Sequence, residues 1–170
     1  AVFGLGACAL GLLIAPALRL FVWERARRER STRALVRMSF RVFIGLMRTV
    51  GVLTYEVHGR KQLHEPGQLV IANHPTLIDV IFLVACVPNA VCVVKESLLR
   101  RFGVGALLRQ AGYVGNASDP LMSLEACVAA LRSGATLIMF PEGSRSTPGS
   151  LRRLRRGAAY VALAAQIELT

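Results

Sequence analysis

From residue 52 onward, short apolar segments alternate with segments whose apolar residues recur at helical spacing. The pattern predicts strands at residues 52–58, 68–72, 91–94, 113–114 and 135–140, and helices at residues 76–87, from 96 onward, 119–133 and 157–166. The segments QLVIA and ATLIMF are almost wholly apolar, which is typical of strands covered on both faces. The alternation therefore predicts an α/β fold with a mostly parallel sheet flanked by helices.

The N-terminal segment predicts a membrane anchor. Residues 1–18 carry no charged side chain, and the apolar stretch continues to Trp23 with one arginine in it. Its length is close to the roughly 20 residues that a spanning helix needs, although Pro16 and several glycines also suit a re-entrant or interfacial anchor. The basic residues follow this stretch, so a secretory signal peptide is not indicated. The same asymmetry places the following chain in the cytoplasm, at the inner membrane if the protein is bacterial.

Residues 24–50 predict a basic amphipathic helix. Arginines are interspersed among apolar residues at helical spacing, which are Leu35, Met38, Val42, Leu46 and Val50. Such a helix can lie in the headgroup region of an anionic membrane, and the remaining interpretation is a core-facing helix with a solvated basic face. We therefore expect an N-terminal membrane anchor and basic helix at residues 1–50. The α/β domain is expected at residues 51–170, incomplete at its C-terminus.

The charge of the chain favours membrane lipids over nucleic acid as partners. The formal net charge is +11, and the basic residues cluster within residues 19–48 and 152–156. Aromatic residues make up only 6% of the chain and do not alternate with the basic residues as they do in a base-stacking platform. An anionic membrane surface or an acidic protein partner suits this pattern, and nucleic acid is not expected.

No metal or redox site is expected from the cysteines and histidines. None of the four cysteines forms a C-x-x-C pair, and all have apolar neighbours, which predicts small buried side chains; they are Cys8, Cys86, Cys92 and Cys127. Neither His58 nor His64 has metal-type spacing to His74. A metal-dependent hydrolase is therefore disfavoured, and no cofactor is predicted.

The first candidate motif is Asn73-His74-Pro75, with Asp79 five residues after His74. Pro75 suits the first position of a helix, so His74 is expected to precede the helix at the end of a strand. Its imidazole could then fold back so that Asp79 orients one ring nitrogen and the other acts as a base on a substrate hydroxyl. The other interpretation is a histidine that caps a helix beside a surface aspartate.

The second candidate motif, FPEGSRS, follows the apolar segment ATLIMF. In it Gly143 permits close backbone approach, Arg145 offers a planar fork for phosphate or carboxylate, and Glu142 and Ser144 add polar groups. The carboxyl ends of parallel strands are where α/β proteins place their chemistry. The motif could therefore face the first one across the sheet edge, although a polar turn after a strand is the simpler interpretation.

Together the two motifs resemble those of the glycerolipid acyltransferase family, which includes 1-acylglycerol-3-phosphate acyltransferases. The family pattern N-H-x-[ST]-x-x-D is met by NHPTLID, and F-P-E-G-[ST]-R-S is met by FPEGSRS. The likeness runs from about Val52 to the C-terminus. It implies an enzyme in phospholipid synthesis that transfers a fatty acyl group from acyl-CoA or acyl-carrier protein to a lysophospholipid hydroxyl in a membrane.

The resemblance also implies roles for single residues. His74 would be the general base and Asp79 its orienting partner. The implied substrate-binding residues are Asn73, Thr76, Lys95, Glu142, Gly143, Ser144 and Arg145, with Arg145 facing the acceptor phosphate. For Lys95, in VVKESLLR, an ordinary lysine at the start of a helix is an equal interpretation.

The acceptor suggested first is 1-acyl-sn-glycerol-3-phosphate. Relatives that acylate it often carry an arginine in a G-x-x-x-x-x-R motif, whereas residues 112–118 read GYVGNAS. Another lyso-lipid, such as a lyso-aminolipid, is therefore the alternative acceptor. A noncatalytic membrane lipid-binding protein with the same fold is the alternative from a different functional class.

Overall fold

The computed structural model describes residues 16–73, 76–116, 119–141 and 156–166. Within these residues one sheet contains the strands β1 (Leu69–Ile71), β2 (Ala90–Lys95), β3 (Val114–Asn116) and β4 (Thr136–Met139). The strands lie in the order β1-β4-β2-β3, and each neighbouring pair is parallel. The predicted α/β fold with a parallel sheet is confirmed.

Helices cover both faces of this sheet. They are α1 (Arg25–Thr49), α2 (Leu77–Cys86), α3 (Glu96–Leu99), α4 (Val104–Gln110), α5 (Pro120–Arg132) and α6 (Gly157–Ala165). Residues 16–21 are also helical, and Gln62–His64 forms a 3-10 turn. The core on one face joins α1, α2, α3 and α4 to the sheet, and the core on the other face joins α5 and α6 to it.

The strands are apolar because both of their faces are buried. In β4, Leu137 belongs to the core under α5 and α6, while Ile138 belongs to the core under α1 and α2, and neither has any exposed surface. Val91 and Cys92 alternate in the same way along β2. Successive side chains of a strand point to opposite faces, so a strand between two helical layers needs an unbroken apolar run.

Local chemistry explains where the helices begin and end. Asp119 caps α5, because its Oδ1 accepts a hydrogen bond from the Leu121 backbone N–H at 2.9 Å, and Pro120 occupies the first turn. The helix predicted from Glu96 onward is divided into α3 and α4. The division falls at Gly103, whose φ of 71° lies in the left-handed region that glycine adopts without strain.

Helix α1 confirms the helix predicted at residues 24–50. It packs against the core through a face other than the predicted apolar stripe. Val36 and Ile44 are buried against the α/β core. The predicted apolar stripe points outward, with Met38, Val42 and Leu46 each exposed. Helix α1 therefore has a core-facing side and a separate exposed apolar side.

The strand predicted at residues 52–58 is wrong. In the described part of the chain these residues are assigned to no strand, and nearly all of them are exposed. The Tyr55 ring instead packs edge-on against the Phe82 ring of α2, with centroids 4.9 Å apart. Alternating apolar residues had suggested a strand, but this segment runs over the surface of α2 and has no neighbouring strand to pair with.

The predicted N-terminal anchor falls largely on residues 1–15, outside the described residues. Near the start of the described residues, the side chains of Leu20, Phe21 and Trp23 are exposed. Across the described ranges, no helix combines the length and the apolar character needed to cross a membrane. Membrane association of the N-terminal helices stays a prediction.

Burial of the cysteines is confirmed at two positions. Cys92 and Cys127 are buried, and Cys86 is half-buried. Burial raises the pKa of Cys92 to about 12 and that of Cys127 to about 11. Both thiols therefore stay protonated at neutral pH, as expected for structural side chains. Cys8 lies outside the described residues.

The packing of α4 against α3 makes Gly105 a position where a side chain should be costly. A Cβ atom at Gly105 would collide with the backbone carbonyl of Leu99, approaching its carbon to 2.7 Å. Since a backbone carbonyl cannot rotate away, we expect Gly105→Ala to lower the free energy of unfolding by about 1–3 kcal/mol, measured by urea denaturation.

The matched control is Gly45→Ala, because Gly45 is also helical and a Cβ there would meet nothing within 4 Å. Alanine at that position should raise the free energy of unfolding by up to about 1 kcal/mol through its higher helix propensity. If both variants were stabilised, the close approach of α4 to α3 would be refuted.

Candidate active site

The two sequence motifs begin where two neighbouring strands of the sheet end. Ile71 at the end of β1 pairs with Met139 at the end of β4. One residue further, the Ala72 N–H donates to the Met139 carbonyl at 3.2 Å. Neighbouring strands lie about 4.8 Å apart, so Asn73 and Phe140, where the motifs begin, follow adjacent strand ends at one edge. This edge, formed by the carboxyl ends of the strands, is called the site edge below.

Helix α2 begins at the site edge with a capping box that contains Asp79. Thr76 is the N-cap and Asp79 the third helical residue. Asp79 Oδ2 accepts hydrogen bonds from the Thr76 backbone N–H at 2.5 Å and from Thr76 Oγ1 at 3.0 Å. A carboxylate here is also favoured by the positive end of the helix dipole. The Asp79 carboxylate is thus turned back toward the chain that enters the helix.

Pro75, predicted at the first helical position, lies outside the described residues, within which α2 begins at Leu77 with Thr76 as its N-cap. The Thr76 hydroxyl and the Asp79 carboxylate satisfy the start of the helix reciprocally. Asp79 consequently lies in the first turn of α2, and His74 comes before the cap in sequence. His74 itself is outside the described residues, so the His74–Asp79 pair stays a prediction.

Lys95 lies at the end of β2, the strand that neighbours β4 on the side away from β1. It is the last residue of β2, it is exposed, and it pairs in register with Asn116 at the end of β3. Because β4 lies between β1 and β2, the second motif leaves the sheet between the first motif and Lys95. The fold thus places one cation predicted to bind substrate at the same edge as both motifs.

The second motif is described only at its start. Phe140 packs against the core, and Pro141 is buried. The other predicted substrate-binding residues of this motif, Glu142, Gly143, Ser144 and Arg145, lie outside the described residues. The anchored Phe140-Pro141 pair fixes where the loop begins.

Asn116 is a site-edge residue that the motifs did not single out. It is exposed at the end of β3, directly beside Lys95. Its amide can donate and accept hydrogen bonds, so it can contribute to a polar rim. The signal that could have found it is its place after a predicted strand, but residues 113–114 were expected to end that strand earlier.

Comparison with known proteins matches the part of the chain that contains both motifs. Residues 54–170 match a family model described as Acyltransferase. The chain is 28% identical over 138 residues to the 1-acyl-sn-glycerol-3-phosphate acyltransferase beta of Homo sapiens, which covers 77% of this chain and 47% of that protein. It is 29% identical over 130 residues to the 1-acyl-sn-glycerol-3-phosphate acyltransferase of Pseudomonas aeruginosa, covering 72% of this chain and 50% of that protein.

A solved structure shares the fold. The crystal structure of the 1-acyl-sn-glycerophosphate (LPA) acyltransferase PlsC from Thermotoga maritima superposes with a TM-score of 0.68 at 23% identity, covering 99% of this chain and 72% of that chain. The chain spans about half the length of the two curated relatives named above.

Proposed function

The chain belongs to the acyltransferase family that its motifs predicted, and on this premise we propose that the whole protein moves a fatty acyl group onto a lysophospholipid hydroxyl. The donor is acyl-CoA or acyl-carrier protein, and 1-acyl-sn-glycerol-3-phosphate is the leading acceptor. The observation that carries the proposal is the departure of the NHPTLID and FPEGSRS motifs from the adjacent strands β1 and β4. The names of the curated relatives support the choice of acceptor.

In the proposed reaction His74 takes the proton from the acceptor hydroxyl, and the oxygen attacks the carbonyl carbon of the thioester. The ester C–O bond forms, the C–S bond breaks, and the proton held by His74 goes to the leaving thiolate. Asp79 orients the imidazole through one ring nitrogen, so that the other stays available as the base. A positioned general base of this kind contributes roughly 10²–10⁴-fold to the rate.

Thr76 acts on this reaction through Asp79. Its hydroxyl donates to the Asp79 carboxylate at 3.0 Å, so the hydroxyl hydrogen is already used. We therefore assign Thr76 to positioning Asp79, whereas the sequence had grouped it with the substrate-binding residues. Asn73, which is exposed just beyond β1, keeps its proposed role in contact with the substrate.

The acceptor phosphate is assigned to the cations at the site edge. Arg145 would supply a planar fork and Lys95 a compact charge for the negatively charged headgroup. Glu142, Gly143 and Ser144 are assigned to substrate binding with them. Support for this assignment comes from the exposed position of Lys95 on the strand next to β4.

Membrane association is proposed from the outward side of α1. Its exposed apolar residues Met38, Val42 and Leu46 lie beside exposed arginines such as Arg41 on the same helix. An apolar stripe bordered by arginines suits a helix that lies in the headgroup region of anionic lipid. The acceptor would reach the site from that membrane, with the catalytic side cytoplasmic.

Acyl transfer itself tests the proposal. Full-length protein in membranes would be given labelled acyl-CoA or acyl-carrier protein and a panel of lysophosphatidate, lyso-aminolipid and neutral monoacylglycerol. Labelled diacyl product from lysophosphatidate supports the leading acceptor, and product from the lyso-aminolipid alone favours the alternative. If the protein bound these lipids but formed no acylated product with either donor, the result would support a noncatalytic lipid-binding protein instead of an acyltransferase.

Arg145→Ala should weaken binding of an anionic acceptor. Losing a hydrogen bond to a charged group costs about 1.5–3 kcal/mol, so we expect the KM for lysophosphatidate to rise roughly 10–100-fold, with little change in the KM for the acyl donor. The measurement is steady-state kinetics with lysophosphatidate and with a neutral monoacylglycerol.

The control for this variant is Arg132→Ala, because Arg132 is exposed in the last turn of α5, just before β4 begins at the opposite edge. It should leave both KM values unchanged. Equal losses of Arg145→Ala on the anionic and the neutral acceptor would refute the role of Arg145 at the phosphate.

A further inference from the structure

The loop between α3 and α4, residues 100–103, combines an exposed aromatic ring with two arginines. The Phe102 side chain is 80% exposed. Arg100 is 78% exposed, and Arg101 is exposed beside it. Arg100 lies 3.5 Å from Glu96 at the surface, where an ion pair contributes little. Most of the apolar surface of the Phe102 ring is in contact with water, which is unfavourable, so this loop suits a surface that covers the ring.

Helix α4 places this loop at the site edge. At the far end of α4, the Gln110 side-chain amide donates to Thr32 Oγ1 at 3.3 Å, and the Ala111 carbonyl accepts from Arg33 Nε at 2.6 Å. Arg33 also donates to Asn89, directly before β2 begins, which puts this end of α4 at the amino edge of the sheet. The seven residues of α4 span about 10 Å at 1.5 Å per residue, toward the site edge.

Helix α1 runs in the opposite direction to α4, from the amino edge toward the site edge. Arg37 Nε donates to the Ala85 carbonyl near the end of α2, whereas Tyr55 packs on Phe82 nearer its start. Since α2 begins at the site edge, the chain passes from the amino edge toward the site edge between residues 33 and 55. The exposed Val50 and Val52 therefore lie toward the edge from which the 100–103 loop projects.

We propose that the 100–103 loop is a membrane contact: Phe102 inserts at the boundary of headgroups and acyl chains while Arg100 and Arg101 bind lipid phosphates. Anionic lipid is the occupant that the charges favour, since basic residues near a membrane surface are attracted to it and an aromatic ring is stable at that depth. The loop then holds the site edge against the bilayer, independently of the N-terminal segment. This inference rests on the proposed function insofar as the acceptor is a membrane lipid.

Tryptophan fluorescence in the full-length protein tests the insertion directly. The 170 residues contain one tryptophan, Trp23. In a background where Trp23 and any tryptophan outside these residues are replaced by phenylalanine, Phe102→Trp reports on this loop alone. In vesicles of phosphatidylglycerol and phosphatidylcholine carrying brominated acyl chains, we expect a blue shift and at least a twofold loss of intensity. Pure phosphatidylcholine vesicles and the Arg100→Ala/Arg101→Ala background should both show a smaller loss.

The matched control is Leu163→Trp in the same background, because Leu163 is 76% exposed on α6, on the other side of the sheet. Its fluorescence should be insensitive to brominated lipid. Equal quenching at both positions, or none at position 102, would overturn the proposal. A shift at position 102 caused by added acyl-carrier protein, without lipid quenching, would overturn it in favour of a protein partner.

The quenching is read without turnover, so it is independent of the proposed reaction. Given the proposed activity, Phe102→Ala should slow acyl transfer to vesicle-borne lysophosphatidate roughly tenfold. Its rate of transfer to a short-chain, monomeric acceptor should stay the same. Equal loss on both acceptors would assign Phe102 to the folding of the domain instead of to the membrane. If the unsubstituted protein transferred no acyl group to either acceptor, the proposed function would be refuted, whereas the quenching result would still test the membrane contact.

Discussion

Replacement of His74 by alanine is expected to slow acyl transfer by at least roughly 10²–10⁴-fold, the contribution of a positioned general base. Without the imidazole, no group proposed at the site edge accepts the proton of the acceptor hydroxyl. The measurement is the initial rate of product formation by the full-length protein with saturating donor and acceptor. Membrane binding and the free energy of unfolding should stay the same, since the variant removes a group proposed to act on the substrate.

Asp79 provides the test of whether the two residues act as a unit. Asp79→Asn keeps an oxygen that can accept from the Thr76 N–H, the contact made at 2.5 Å by the carboxylate, but it removes the negative charge. We expect a large loss of rate from Asp79→Asn alone and little further loss when it is added to His74→Ala. If the rate of the double variant were instead lowered by the product of the two single-variant factors, Asp79 would serve the reaction without acting through His74.

Arg33→Ala is expected to lower the free energy of unfolding by about 3–5 kcal/mol, the range for breaking a buried ionic network. Arg33 is only 5% exposed. It donates to the Ala111 carbonyl, to Asn89 Oδ1 at 2.9 Å and to Glu29 Oε2 at 3.2 Å. Burial lowers the pKa of Arg33, opposed by the nearby Glu29 charge. Removing the guanidinium leaves the buried Ala111 carbonyl without this donor, together with the half-buried acceptors of Asn89 and Glu29.

The same network joins α1 to the amino edge of the sheet, which is why its loss should be global. Asn89 Nδ2 donates to the Gly134 carbonyl at 3.0 Å, so Arg33 reaches the loops before β2, β3 and β4. Urea denaturation would measure the effect, with Arg30→Ala as the control because Arg30 is exposed on the same helix. Equal stabilities of the two variants would refute the structural role of Arg33. Arg33→Lys should rescue little, since an ammonium cannot reproduce the planar fork.

The strands of the central sheet were predictable because their burial leaves a local signature. The segments QLVIA and ATLIMF correspond to β1 and β4, within a residue or two at each end. Helix α5 was predictable for a similar reason. Asp119 and Pro120 are residue types that favour the start of a helix, and Gly134, which follows the end of the helix, has a φ of 79°. Such signals act within a few residues, so no knowledge of the rest of the chain is needed.

The sequence was less informative where a distant partner decides the outcome. Residues 52–58 have the alternation of a strand, yet a strand forms only where another strand offers hydrogen bonds, and this segment packs on α2 instead. In α1 the stripe of Met38, Val42 and Leu46 was recognised and is exposed, whereas the side that meets the core, with Val36 and Ile44, was not predicted. Both sides have helical spacing, and only the position of α2 selects between them.

The sequence by itself determined the alternation of strands and helices, the acyltransferase family and the residue types available to the site, because motifs and burial patterns are local properties of the chain. The tertiary structure alone decided that β4 enters the sheet between β1 and β2, so that the second motif begins beside the first and beside Lys95. Parallel pairing joins segments that are far apart in sequence, and their order follows from how the helical layers pack. For the same reason, only the packed fold brings Arg33 to the loops at the amino edge and turns the Asp79 carboxylate back onto its cap.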